Sequence, residues 1–136
     1  LQETERMGRS GLMHHWVMIR PWDETLLGLI GFDNITRTSE AKWNLGYWVR
    51  SSEQRHGFAK KSINATLGWL GAVEEVIVEL KVDPMNLAGV NTVSQTVSNW
   101  NGERNISGDS AVTVAGVRTL HHCHLVVTSP KSTEIM

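Results

Sequence analysis

Apolar positions recur along most of this chain with the two-residue period of β-strands, and a helical period interrupts them twice. His14 to Arg20 is an apolar run of strand length, closed by Pro21. Trp22 to Thr25 then reads as a hairpin turn. Leu26 to Ile35 reads as a second strand, where Gly28 and Gly31 mark a bend or a close backbone approach. A polar loop over Arg37 to Ala41 leads into a third strand, Trp43 to Arg50. There Trp43, Leu45, Tyr47 and Val49 share one face, while Asn44, Gly46, Trp48 and Arg50 share the other.

The period then changes. Ala59, Ile63, Thr66, Leu67 and Leu70 recur at helical spacing, with Lys60, Lys61 and Asn64 turned outward and Gly71 as the expected stop. Val76 to Val82 alternates strictly and predicts a strand. Asp83 to Asn86 is a turn, and Asn86 is a good N-cap for a helix from Leu87 to about Ser98. Asn99 to Ser110 is loop or hairpin. Ala111 to Val117 and Leu120 to Thr128 complete an antiparallel pair. The first eleven residues read as the end of a helix, and residues 129–136 as a flexible tail. The order predicts an α/β (α+β) chain with a mixed sheet crossed by helices, in a single domain over residues 1–136.

Composition narrows the classes of function. With 136 residues, 40% hydrophobic and 20% charged, the chain is globular in character and long enough for one core. Thirteen Lys and Arg against fourteen Asp and Glu leave a net charge of −1, which argues against direct nucleic-acid binding as the main task. The one cysteine, Cys123, excludes an internal disulfide and a Cys-rich zinc site. No apolar run approaches a membrane span, and the acidic start does not resemble a signal peptide. The expectation is a cytoplasmic chain with no membrane partner. The missing initiator Met is compatible with a piece of a longer one.

The junction after the third strand carries the most chemistry. A short loop delivers Gly57 to the first turn of an amphipathic helix, where free N–H groups and the positive dipole end converge. Such a corner binds phosphate, and Arg50, Arg55, Lys60 and Lys61 add charge. The plainer alternative is an ordinary strand–loop–helix connection with surface cations.

Four pieces of sequence occur in a set order here: Leu29-Ile30-Gly31-Phe32, Gly46-Tyr47-Trp48-Val49, Gln54-Arg55-His56-Gly57-Phe58-Ala59, and Val82-Asp83 with Asn86. In that order and spacing, the segment from Gly28 to Gly89 resembles the acetyl-CoA-binding region of GNAT-superfamily N-acetyltransferases. It is most similar to the ribosomal-protein N-acetyltransferase subgroup. The resemblance implies a GNAT-like acyl-CoA-binding fold, with a mostly antiparallel twisted sheet flanked by helices. The family's N-terminal strand has no counterpart upstream of Gly11. It also implies acetyl-CoA as cosubstrate, its pyrophosphate on the backbone amides of Arg55, His56, Gly57, Phe58 and Ala59, with Gln54 at the loop entry. Amides near Trp48 and Val49 would pair with the pantetheine arm and steady the thioester oxygen, and Asn86 would touch the CoA. The implied reaction moves an acetyl group to a primary amine, a protein N-terminus or a small amine, by direct attack. Departures from the family pattern are Arg55 in place of Gly, Gly89 in place of a Ser that protonates the departing thiolate, and Val97-Ser98 in place of Gly-Phe. The family often dimerises, which leaves a homodimer open.

Other chemistry is thinner. His122 and His124 share one face of a strand and His121 and Cys123 the other. That spacing suits a metal, which would need further ligands, or acid–base work near an acceptor amine. Glu79 falls on a polar face, as a proton acceptor or simply as a solvated carboxylate beside Lys81. Cys123 reads as a small packed residue rather than a nucleophile. The competing functions are a non-catalytic acyl-CoA or nucleotide-binding module and a small metal-binding α/β domain using the His121–His124 cluster.

Overall fold

The structure is a computed structural model that describes residues 2–3, 13–54 and 56–128. Among these, eight strands form one mixed sheet: β1 (Gln2–Glu3), β2 (Met13–Ile19), β3 (Leu26–Asp33), β4 (Trp43–Val49), β5 (Ile77–Val82), β6 (Glu103–Arg104), β7 (Ser110–Val114) and β8 (Val117–Val127). The path across the sheet is β1-β2-β3-β4-β5-β8-β6, and β7 pairs with the far part of β8. Every pairing is antiparallel except β4 with β5. Helix α1 (Phe58–Val73) makes the crossover that this parallel pair requires, and α2 (Leu87–Asn99) follows β5. The mixed α/β architecture is the one the period changes predict.

One face of the sheet carries both helices. Ile63, Leu67 and Leu70 of α1 pack against Trp16, Ile30, Phe32, Trp43 and Leu45 in a single core that also holds Val78, Leu80, Val126 and Trp100. Trp100 Nε1 donates to Asn64 Oδ1 at 2.9 Å and ties the end of α2 to α1. The alternation of β4 is as read from sequence: Trp43, Leu45 and Val49 are buried and Tyr47 half-buried, while Trp48 is 52% exposed.

Glu79 is a correction. Expected on a solvated or reactive face, it is 0% exposed. Its carboxylate accepts from the Arg37 and Thr38 N–H groups at 2.9 and 3.1 Å and from Thr38 Oγ1 at 2.7 Å, and Lys81 Nζ lies at 3.2 Å. The residue therefore anchors the loop between β3 and β4 onto β5. That loop, with Ala41, covers a second small core of Cys123, Leu125 and Ile77. Strand period alone could not show this, because the cover comes from a segment about forty residues upstream.

Smaller differences have local causes. Residues 2 and 3, expected at the end of a helix, pair with β2 as an edge strand. The rest of that expected helix, residues 1 and 4–11, and the tail 129–136 lie outside the described residues. Helix α1 runs past Gly71 to Val73; a Cβ at Gly71 would meet the Thr128 carbonyl oxygen at 2.2 Å, so the glycine serves close packing rather than a stop. The last hairpin turns at Ala115-Gly116, both at positive φ, three residues earlier than the pattern of apolar residues suggests. Cys123 is buried, and desolvation pushes its thiol up to about 11.

Burial alone would raise the Glu79 carboxyl, but its hydrogen bonds from Thr38, Arg37 and Lys81 outweigh that and hold it below the usual range. A group lowered in the folded state stabilises above its unfolded pKa of about 4.3 and loses that contribution as pH falls through the folded value. Glu79→Gln is expected to cost roughly 1–3 kcal/mol at pH 7 in urea unfolding. The gap to wild type should narrow steadily as the titration is repeated below pH 4.

Candidate active site

Strands β4 and β5 share only three paired positions, Trp43 with Val78, Asn44 with Glu79 and Leu45 with Leu80. Past Leu45, β4 remains paired to β3 as far as Val49 but has no partner on its β5 side. Its peptide groups there face a cleft of about 480 Å³, within the usual range for ligand sites. The cleft has three walls. One is the end of β4, with Tyr47, Trp48 and Val49. The second is the turn into α1, from Glu53 to Lys60. The third is α2, through Asn86, Gly89, Asn91, Thr92 and Gln95.

The turn into α1 leaves main-chain donors bare. Gly57 is the N-cap at φ 78°, a left-handed conformation that glycine adopts without strain, and it offers no side-chain cap. Lys61 N–H makes the first intrahelical bond, to the Gly57 carbonyl, so the amides before it point out of the helix end. A Cβ at Gly57 would find nothing within 4 Å, and no described side chain plugs the corner. The first turn carries no acidic residue, and Lys60 adds a cation to the wall.

Neighbouring side chains hold this corner in place. Gln54 Nε2 donates to the Val49 carbonyl at 3.1 Å, and the Arg50 N–H donates to the Leu27 carbonyl at 2.7 Å. On the far wall, Asn86 Oδ1 caps α2 by accepting from the Gly89 N–H at 3.1 Å. A Cβ at Gly89 would approach the Asn86 amide nitrogen to 2.6 Å, so the glycine leaves room for the cap.

Of the residues singled out from sequence, Trp48, Val49, Gln54, Gly57, Phe58, Ala59 and Asn86 line the cleft together. His56 is exposed beside them, its ring 5.7 Å from that of Phe58, and Arg55 lies outside the described residues. Glu79, His122 and His124 are not brought to the cleft. His122 and His124 do share a face, paired with Val82 and Leu80, which places them on the helix side of the sheet. His124 Nδ1 is buried without a hydrogen-bond partner. Among the described residues no group of three or more His, Cys, Asp or Glu could hold a metal ion.

Sequence reasoning missed the donors of α2 and the place of Tyr47 in the cleft wall. Tyr47 and Thr92 both line the cleft, and burial raises the phenol above its ordinary value, so that it keeps its proton. The helical spacing of Asn91, Thr92 and Gln95 was visible; the fact that it faced a gap in the sheet was not.

A family model described as "Acetyltransferase (GNAT) domain" matches residues 2–101. No curated protein matches the sequence. Among solved structures, the ribosomal-protein-S5-alanine acetyltransferase of Vibrio fischeri superposes with a TM-score of 0.74 at 16% identity, over 90% of this chain and 66% of that one. A spermidine N-acetyltransferase of Vibrio cholerae, in complex with CoA and spermine, gives 0.69 at 15% identity, over 91% of this chain and 70% of that one. This chain thus spans just under two thirds of the length of the first neighbour, and at these identities the likeness is one of fold. No helix among the described residues is long and apolar enough to cross a membrane.

Burial holds the His124 imidazole below its ordinary value, and the charges of Arg104 and His122 push the same way. The folded state then binds fewer protons than the unfolded chain near pH 6, so stability falls as pH drops through about 6.5. An NMR titration of the histidine rings is expected to place the His124 midpoint below 6.5, and His124→Phe should flatten the stability profile between pH 7 and 5.

Proposed function

Because this chain belongs to the GNAT acetyltransferase family, we propose that it is an N-acetyltransferase. It would transfer an acetyl group from acetyl-CoA to a primary amine, either a protein N-terminus or a small amine. The observation that carries the reading is the cleft itself: a strand edge freed by the divergence of β4 from β5 runs into an uncapped helix N-terminus at Gly57. The bare corner fits the group chemically, since a diphosphate needs several converging donors and close backbone approach.

In this reading the amides from His56 to Ala59 hold the diphosphate, with Lys60 adding charge. The free edge at Trp48 and Val49 pairs with the amide-bearing arm as an added strand, and Asn86 borders it from α2. When bound, acetyl-CoA supplies an activated thioester carbonyl for direct attack by the amine. The chain's own contribution is orientation, and main-chain donors for the oxygen that gains charge. The Tyr47 hydroxyl, which lines the cleft and keeps its proton, supplies a proton to the departing sulfur, a task Gly89 has no group for. Glu79, saturated by its anchoring bonds, stays outside the chemistry. The amine class agrees with the solved neighbours, which act on a ribosomal-protein alanine and on spermidine.

A second reading, an acyl-CoA-binding module without turnover, is favoured by one observation: no histidine or carboxylate singled out as a catalyst lies at the cleft. CoA release across a panel of peptide and polyamine acceptors separates the two.

Calorimetric titration with acetyl-CoA is expected to show one site per chain. Gly57→Asp should abolish binding by setting a carboxylate in the anion corner. The side chain has room, but the left-handed backbone costs about 1 kcal/mol, so the melting temperature should fall by several degrees with the fold retained. Gly57→Asn, equally strained but uncharged, should bind more tightly than Gly57→Asp. No heat of binding at high micromolar acetyl-CoA would overturn both readings.

A further inference from the structure

Glu53 is the single carboxylate among the described residues that line the cleft, and it sits in the short turn (Ser51–Glu53) just before the Gly57 corner. A negative charge there opposes the binding of an anion. It is met by a residue 33 positions earlier: Arg20 Nη1 lies 3.4 Å from both Glu53 carboxylate oxygens. Arg20 does not line the cleft. Its guanidinium is fixed from behind, with Nε and Nη2 each 3.0 Å from Asp23, Nη2 3.3 Å from Thr25 Oγ1, and the plane 5.6 Å from the Trp22 ring. The arginine thus joins the β2–β3 turn to the turn before α1. The pair is mostly shielded, its side chains 22% and 16% exposed, so salt screens it only in part.

We infer that Arg20 is a positioning residue for diphosphate binding, which, though shared with Asp23, offsets part of the Glu53 charge and holds that carboxylate against the β2–β3 turn rather than at the anion corner. This rests on the acetyl-CoA reading above. It adds a specific requirement: the electrostatics of the corner depend on a side chain that never touches the ligand. Without Arg20, the Glu53 carboxylate is an unpaired charge at the lip of the site.

Arg20→Met is expected to weaken CoA binding roughly three- to tenfold at low salt, less at high salt, and to raise KM for acetyl-CoA with kcat unchanged. S-acetylpantetheine, which has the arm but no diphosphate, should bind Arg20→Met as it binds wild type. Adding Glu53→Gln to Arg20→Met should restore CoA affinity, Glu53→Gln alone should bind at least as tightly as wild type, and Arg20→Lys should retain most of the affinity. Wild-type affinity in Arg20→Met overturns the inference. So does an equal loss for CoA and S-acetylpantetheine, which marks a merely structural role, or a double variant that recovers nothing. If wild type binds neither ligand, the acetyl-CoA reading falls and takes this inference with it; if wild type binds CoA, only the Arg20 assignment is at stake.

Discussion

Beyond Leu45 and Leu80 the two central strands stop sharing hydrogen bonds, and the rest of the candidate site follows from that parting. Peptide groups in the middle of a sheet are ordinarily paired, because an unpaired buried N–H or carbonyl is costly. Here β4 keeps its β3 partner to Val49 and leaves its other edge facing a cavity. An edge of this kind is a template for an extended, amide-bearing chain. The same parting determines where α1 begins: its crossover starts from the end of β4, so the free edge leads directly to the helix N-terminus.

The walls are held by contacts that do not line the cleft. Glu79 anchors the β3–β4 loop from the far face of β5 and so stabilises the one parallel pairing of the sheet, at its own register position opposite Asn44. Gln54 ties the loop before α1 back to Val49, and Asn86 caps α2 with space provided by Gly89. Backbone donors dominate the site, which makes it depend on glycines and caps more than on reactive side chains. Glu79, His122 and His124 lie away from the cleft.

Element types were legible in the sequence wherever one face is buried and the other is wet. The β4 alternation, the α1 stripe and the Asn86 cap were all read correctly, because each depends on spacing within a few residues. The bare helix start at Gly57 was legible for the same reason, as a glycine between a strand and an amphipathic helix. Positions buried from both sides were misread: Glu79 carries a polar side chain in an alternating strand, and the segment that covers it comes from Arg37 and Thr38. The His122 and His124 face was identified, but its surroundings were not.

The sequence by itself therefore determined the longer elements from β2 onward, their order and the bare main-chain corner at Gly57, since these follow from local period, capping and backbone freedom. Tertiary structure alone decided that β4 and β5 part after three pairs, that Tyr47 and Thr92 line the same cleft, and that Arg20 lies against Glu53. Those facts join residues far apart in the chain, and nothing in local spacing records which distant surfaces fold against one another.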